Sequence, residues 1–230
     1  MLTRRRVNNP LALAVLGCLR ERPMHPYEMS TTLRQRNKEG SIKLNYGSLY
    51  SVVESLQKHQ LIHARETTRE GRRPERTIYE ITPDGEHELE DWLSELLATP
   101  VRDFTSLEAG LSLLPYLPPD EVATLLDVRA TQLRIELRTI ASEHEEARRM
   151  GLPDLLLVES LYRRAILDAE LTFVTDLVEG IRSGRFAGAK IWRRMHELFD
   201  SGMSMEQVMA DAVGNLGEEA AALQQPPTGG

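Results

Sequence analysis

The sequence predicts a mainly helical protein with one small β-hairpin, built in two parts that differ in charge. Apolar residues recur at helical spacing along most of the 230 residues, and only 62–67 and 77–81 read as paired strands. Residues 1–82 hold 15 Lys or Arg against 8 Asp or Glu, net +7, while the rest hold 13 against 27, net −14. A basic segment on an acidic body still attracts phosphate, because screening over roughly 8 Å makes the local field outweigh the total. Thr99-Pro100 interrupts the helical pattern between the parts. The expected division is a basic arm (1–8), a first domain (9–98), a helical domain (99–216) and a tail (217–230).

Arg4-Arg5-Arg6 in the arm suit phosphate or a minor groove, or serve solubility alone. Residues 11–19 form an apolar helix with Pro10 near its start, where a missing N–H costs nothing. A second helix, 26–36, is expected to bury Tyr27, Met29 and Leu33, with His25 solvated or capping. Asn37-Lys38-Glu39-Gly40-Ser41 is a turn. Asn45 is the best N-cap for a third helix, whose Leu49, Val52, Val53 and Leu56 fall at i, i+3, i+4 and i+7. Its other face is small and hydroxylic, through Tyr46, Gly47, Ser48, Ser51 and Ser55, as close approach to a groove or phosphate requires. The two strands follow, joined by a loop that carries Arg69, Arg72, Arg73 and Arg76, with Gly71 and Pro74 shaping its tip. Thr82, Pro83 and Asp84 open a fourth helix with the apolar stripe Leu89, Trp92, Leu93, Leu96 and Leu97.

A helix with a small polar face followed by a cationic hairpin is the order of a winged helix-turn-helix, its helix entering a major groove and its wing meeting adjacent backbone. A charged hairpin by itself would only face water; the succession of elements favours the wing. The same residues resemble the PadR-type transcriptional regulators. Tyr46-Gly47-Ser48-Leu49-Tyr50, the exit from Leu56 to Leu61-Ile62, Gly71-Arg72-Arg73 and Tyr79-Glu80-Ile81-Thr82-Pro83-Asp84-Gly85 carry the match. His25-Pro26-Tyr27-Glu28-Met29 fits upstream, and Glu159-Ser160-Leu161-Tyr162 gives a weaker likeness in the C-terminal half. The resemblance implies a dimeric repressor with an effector-responsive helical region. It also implies a small, often aromatic ligand, bound at the dimer axis or between the two domains. By spacing Trp92 is a packing residue; by resemblance it lines such an effector pocket.

In the second part, 104–114 is a short apolar helix closed by Pro115, Pro118 and Pro119. Asp120 and Glu121 open a long helix to about Arg149, in which Leu126, Ala130, Leu133, Leu137, Ile140 and His144 make a heptad seam. After Gly151-Leu152-Pro153-Asp154 another long helix runs to about Arg182, with Val158, Leu161, Tyr162, Ala165, Ala169, Phe173, Leu177 and Ile181 on one side. Such a hairpin carries more apolar surface than it buries on itself, so a second subunit is expected. Leu126, Leu133, Leu137, Leu161, Phe173 and Leu177 are assigned to that contact. Trp192, Met195, Leu198 and Phe199 mark a further helix, and Met203, Met205, Val208 and Met209 read as core filler or an adaptable surface.

No Ser-His-Asp order, glycine-rich phosphate loop, zinc spacing or paired-carboxylate pocket stands out, so no enzyme, cofactor or metal is expected. His59 and His63 are four apart, but a strand starting near Leu61 breaks the helix that would align them. The single cysteine, Cys18, excludes an internal disulfide and sits in an apolar helix where burial is the default. Residues 4–18 imitate a lipoprotein signal, but the apolar run is short and Arg20-Glu21-Arg22 follow at once. With no window of spanning length, a cytoplasmic location is expected. The expected function is a sequence-specific DNA-binding regulator: a homodimeric repressor on a near-palindromic operator, released by a small aromatic effector. Its DNA contacts are assigned to Lys43, Asn45, Tyr46, Ser48, Tyr50 and Ser51 on the helix and to Arg72, Arg73 and Arg76 on the wing. The alternative is a protein-interaction adaptor that docks through the winged helix and the helical arm.

Overall fold

The computed structural model describes residues 9–68 and 76–224. The expected arm, the wing residues Arg72 and Arg73, and the end of the tail lie outside the described residues. Mainly helical structure with one two-stranded hairpin is what the sequence predicts, and it is what is found. The chain divides into Met1–Arg102 and Asp103–Gly230.

In the first unit, α1 (Pro10–Glu21) is central, with Leu11, Ala12, Val15, Leu16, Cys18 and Leu19 all buried. Around it pack α2 (Pro26–Gln35), α3 (Tyr46–Lys58), α4 (Pro83–Ala98) and the hairpin of β1 (Ile62–Thr68) and β2 (Arg76–Ile81). The starts of these helices are set by side chains that satisfy free amides. Asn9 accepts from the Leu11 amide (3.0 Å) and Thr82 from that of Gly85 (3.1 Å). His25 Nδ1 accepts from Tyr27 (3.1 Å), while Glu28 reaches back to the His25 amide (3.1 Å), a reciprocal capping pair. Tyr27 does not go inside as expected; it is 58% exposed. The buried stripe of α2 is Pro26, Met29, Ser30 and Leu33, and Tyr27 lies one residue, about 100°, off it. Likewise Leu89 and Trp92 of α4 are buried, but Leu93, Leu96 and Leu97 are exposed, since the unit's core ends at Trp92.

The second unit is built on an antiparallel hairpin of α6 (Pro119–Arg149) and α7 (Val158–Ser183), preceded by the short α5 (Ser106–Leu111). The apolar helix expected over 104–114 is therefore only six residues, followed by a 3-10 turn at Leu114–Tyr116, and Phe104 is exposed. On α6 the predicted seam turns inward: Leu126, Ala130, Leu133, Ile140 and His144 are buried, and His144 Nε2 meets Ser160 Oγ at 2.8 Å. On α7 the buried residues are Val174, Leu177, Val178 and Ile181, with Leu161, Leu167 and Leu171 half-buried, so the predicted face is buried only at its C-terminal end. The predicted series steps mostly by four, and each such step advances about 40° around a helix. It begins outside at Val158 and Tyr162 and ends inside at Leu177 and Ile181. Arg129 with Glu170 and Arg163 with Glu136, each pair at 2.5 Å, lace the two helices together. At one end α8 (Ala189–Asp200), α9 (Met205–Ala210) and α10 (Ala212–Leu216) close the core with Trp192, Met195, Leu198, Val208, Ala212 and Leu216. Trp192 Nε1 donates to the Leu117 carbonyl (2.9 Å) and Arg193 pairs with Asp120 (2.8 Å), so α8 is clamped over the start of α6.

Candidate nucleic-acid interface

Residues 43–45 lead into α3 outside any helix or strand, with Asn45 extended. Ile42 and Leu44 pack against the core, which turns Lys43 and Asn45 outward. Asn45 Oδ1 accepts from the Ser48 amide (2.7 Å), the predicted cap, so that oxygen is committed to starting the helix at Tyr46. Leu49, Val52, Val53 and Leu56 are buried as predicted. Their burial fixes the outermost stripe of α3 as Gly47, Ser51, Glu54 and Lys58, all exposed. Ser51 Oγ donates to the Gly47 carbonyl (3.1 Å) on the exposed face, while Ser48 is half-buried. Tyr50 lies exposed on the flank toward β2. There burial pushes the Tyr79 hydroxyl up in pKa, the Glu54 carboxylate adding to it and Tyr50 after that.

The hairpin pairs Ile62 with Ile81, His63 with Glu80 and Ala64 with Tyr79, then slips by a bulge at Arg65 before Glu66 meets Ile78. Its base is fixed by a contact the sequence did not reveal: Met24, between α1 and α2, exchanges backbone hydrogen bonds with Tyr79 (3.1 and 3.0 Å). Glu80 draws in His63 (3.7 Å) and Arg65 (3.6 Å). Arg76 opens β2.

Not all of the unit's positive charge is available to a partner. Arg20 pairs with Glu90 (2.7 Å), Arg22 with Glu28 (3.9 Å), Arg34 with Glu39 (3.0 Å), and Arg36 with Glu21, whose carboxyl is thereby held below its ordinary pKa. Lys43 and Lys58 form no ion pair among the described residues; Lys43 stands three residues before α3 and Lys58 is its last residue. Sequence reasoning passed over Glu54 and Lys58. Both follow by arithmetic once Leu49, Val52, Val53 and Leu56 are inside.

Trp92 is 3% exposed and lies in the first unit's core, the packing position its spacing predicts. Of the six residues assigned to a subunit contact, Leu126 and Leu177 are in the second unit's own core, Leu133 is buried too, and Leu137 and Leu161 are half-buried. Phe173, 50% exposed, has the most surface of the six. No three His, Cys, Asp or Glu side chains converge as a metal site would need, and no helix is long and apolar enough to cross a membrane, among the described residues.

Residues 15–91, most of the first unit, match the profile of the transcriptional regulator PadR-like family. No curated protein matches the chain. Among solved structures, Bacillus subtilis PadR in complex with operator DNA is similar over 72% of this chain and 99% of its own, at 21% identity and TM-score 0.54. The same regulator in complex with p-coumaric acid is similar over 72% and 98%, at 18% identity and TM-score 0.53. The PadR-like regulator BC1756 of Bacillus cereus is similar over 76% and 99%, at 14% identity and TM-score 0.52. These likenesses extend the shared fold into the helical second unit and leave about a quarter of this chain without a counterpart in them. Over residues 15–91, then, the chain is similar to the PadR-like family of transcriptional regulators, and it shares the fold of solved PadR regulators beyond that stretch.

Proposed function

We propose that this chain represses transcription as a homodimer on a near-palindromic operator and is released by a small aromatic ligand. The observation that carries the DNA-binding part is the outer stripe of α3. It is narrow at Gly47 and Ser51, flanked by Lys43 and Lys58, which form no ion pair among the described residues, and set beside the base of the hairpin. Lys43, Lys58 and the wing arginines supply phosphate contacts that fix register; Tyr46, Ser48, Tyr50 and Ser51 meet the groove. Counterion release makes this measurable: Arg72→Ala and Lys43→Ala each lower the salt slope of binding by about one per contact per subunit. An unchanged slope in both removes those residues from the interface.

Dimerisation is supported by the outer face of α7, where Val158, Tyr162, Ile166 and Phe173 are exposed at helical spacing. A soluble monomer does not ordinarily leave such a stripe to water. Tyr162→Asp with Phe173→Asp gives a helical monomer by light scattering; a persistent dimer moves the contact elsewhere. For release, the ligand must bind the DNA-incompetent form more tightly than the DNA-bound one. The p-coumaric acid complex of a protein with this fold suggests phenolic acids as the first compounds to screen by thermal shift. A compound that raises the midpoint yet leaves operator affinity unchanged contradicts the coupling.

A further inference from the structure

Glu54 sits in the middle of the stripe that the proposed function turns toward DNA, one turn beyond Ser51 and one turn before Lys58. A carboxylate there is repelled by phosphate, and no ion pair with Lys58 offsets it among the described residues. In a major groove the sign of the interaction depends on which base it meets. Guanine shows N7 and O6, and thymine shows O4, all acceptors that repel a carboxylate. Adenine offers an N6 amino donor but sets N7 beside it. Cytosine alone shows its N4 amino donor with no acceptor adjacent on the same base.

We propose that Glu54 is a specificity residue that accepts a hydrogen bond from cytosine N4 at one position in each half-site. The proposal rests on the DNA-binding reading of α3 and adds to it the identity of one base. Phosphate contacts fix the position of the helix, and Glu54 penalises every base except one. Because Glu54 is exposed and is not part of the core, its replacement leaves folding intact.

The test is selection of bound duplexes from random sequence with the full-length wild type, Glu54→Gln and Glu54→Ala, together with each protein's affinity for bulk DNA and its thermal midpoint. The wild type is expected to enrich cytosine at one position per half-site, by on the order of tenfold over other bases. Glu54→Ala loses the preference there and keeps it elsewhere. Glu54→Gln shifts it toward adenine, whose N6 and N7 a carboxamide matches. Both variants bind bulk DNA more tightly, having lost an anion from the face that meets phosphate, and both melt as the wild type does. An unchanged preference at every position overturns the proposal, whether or not bulk affinity rises. If the wild type itself selects no sequence, it is the DNA-reading function that fails and not the role of Glu54 alone.

Discussion

At the residue scale, Gln60 and Gly85 show how tightly the exit of α3 is built. Gln60 has φ 60°, the left-handed position that ends a helix, and the Leu61 amide reaches back to the Leu56 carbonyl (3.0 Å) around it. A residue with a Cβ is strained there, so Gln60→Gly stabilises the protein by about 0.5–1 kcal/mol in urea unfolding. Destabilisation would mean that the glutamine side chain makes a contact worth more than the strain. Gly85, in the first turn of α4, is required for the opposite reason. A methyl there overlaps the Leu61 carbonyl oxygen, itself the acceptor of the Thr82 amide (3.0 Å). Gly85→Ala therefore costs at least about 2 kcal/mol, read as a fallen denaturant midpoint. Cys18 is 2% exposed and burial pushes its thiol up in pKa, so it stays unmodified by a thiol reagent until the protein unfolds. Labelling of the native protein at the rate of a free thiol would contradict that.

At the element scale, helix starts were readable because caps are local chemistry: Asn45, Thr82 and Pro83 announce themselves, and each acts where expected. Three kinds of information were hidden. The Met24 bridge to Tyr79 joins residues far apart in sequence through backbone atoms that carry no residue-specific signal. The inward face of α7 was misread because an apolar series stepping by four suits two faces in turn, and only the packed partner decides between them. Glu54 is neither small nor basic, so composition does not mark it as a DNA-facing residue, although the inward stripe fixes its direction. The clamp of α8 on α6 gives a pH test. Arg193 holds the Asp120 carboxyl below its usual pKa. A lowered carboxyl pKa stabilises the fold at pH above the unfolded value, and that share is lost as pH falls toward the depressed one. Between about pH 5 and pH 3 the wild type should lose more thermal stability than Asp120→Asn, by a modest margin because the pair is exposed. Equal losses would show that the pair contributes nothing measurable.

At the scale of the whole molecule, the charge division read from composition has a structural counterpart. Among the described residues of the first unit, Arg20, Arg34 and Arg36 are paired within it, while Lys43, just before α3, and Lys58, at its end, form no ion pair. The acidic second unit holds its own apolar core, and an unspent stripe remains on α7. Joining two copies along that stripe makes a two-fold particle, and a two-fold particle reads a two-fold sequence. The most direct measurement is the sequence of the DNA that purified protein retains from a random pool at moderate salt. Two inverted half-sites, centred about one helical turn (roughly 10–10.5 base pairs) apart or a multiple of it, are the expected outcome. Recovery of a single unrepeated half-site, or of no enriched sequence at all, would contradict it.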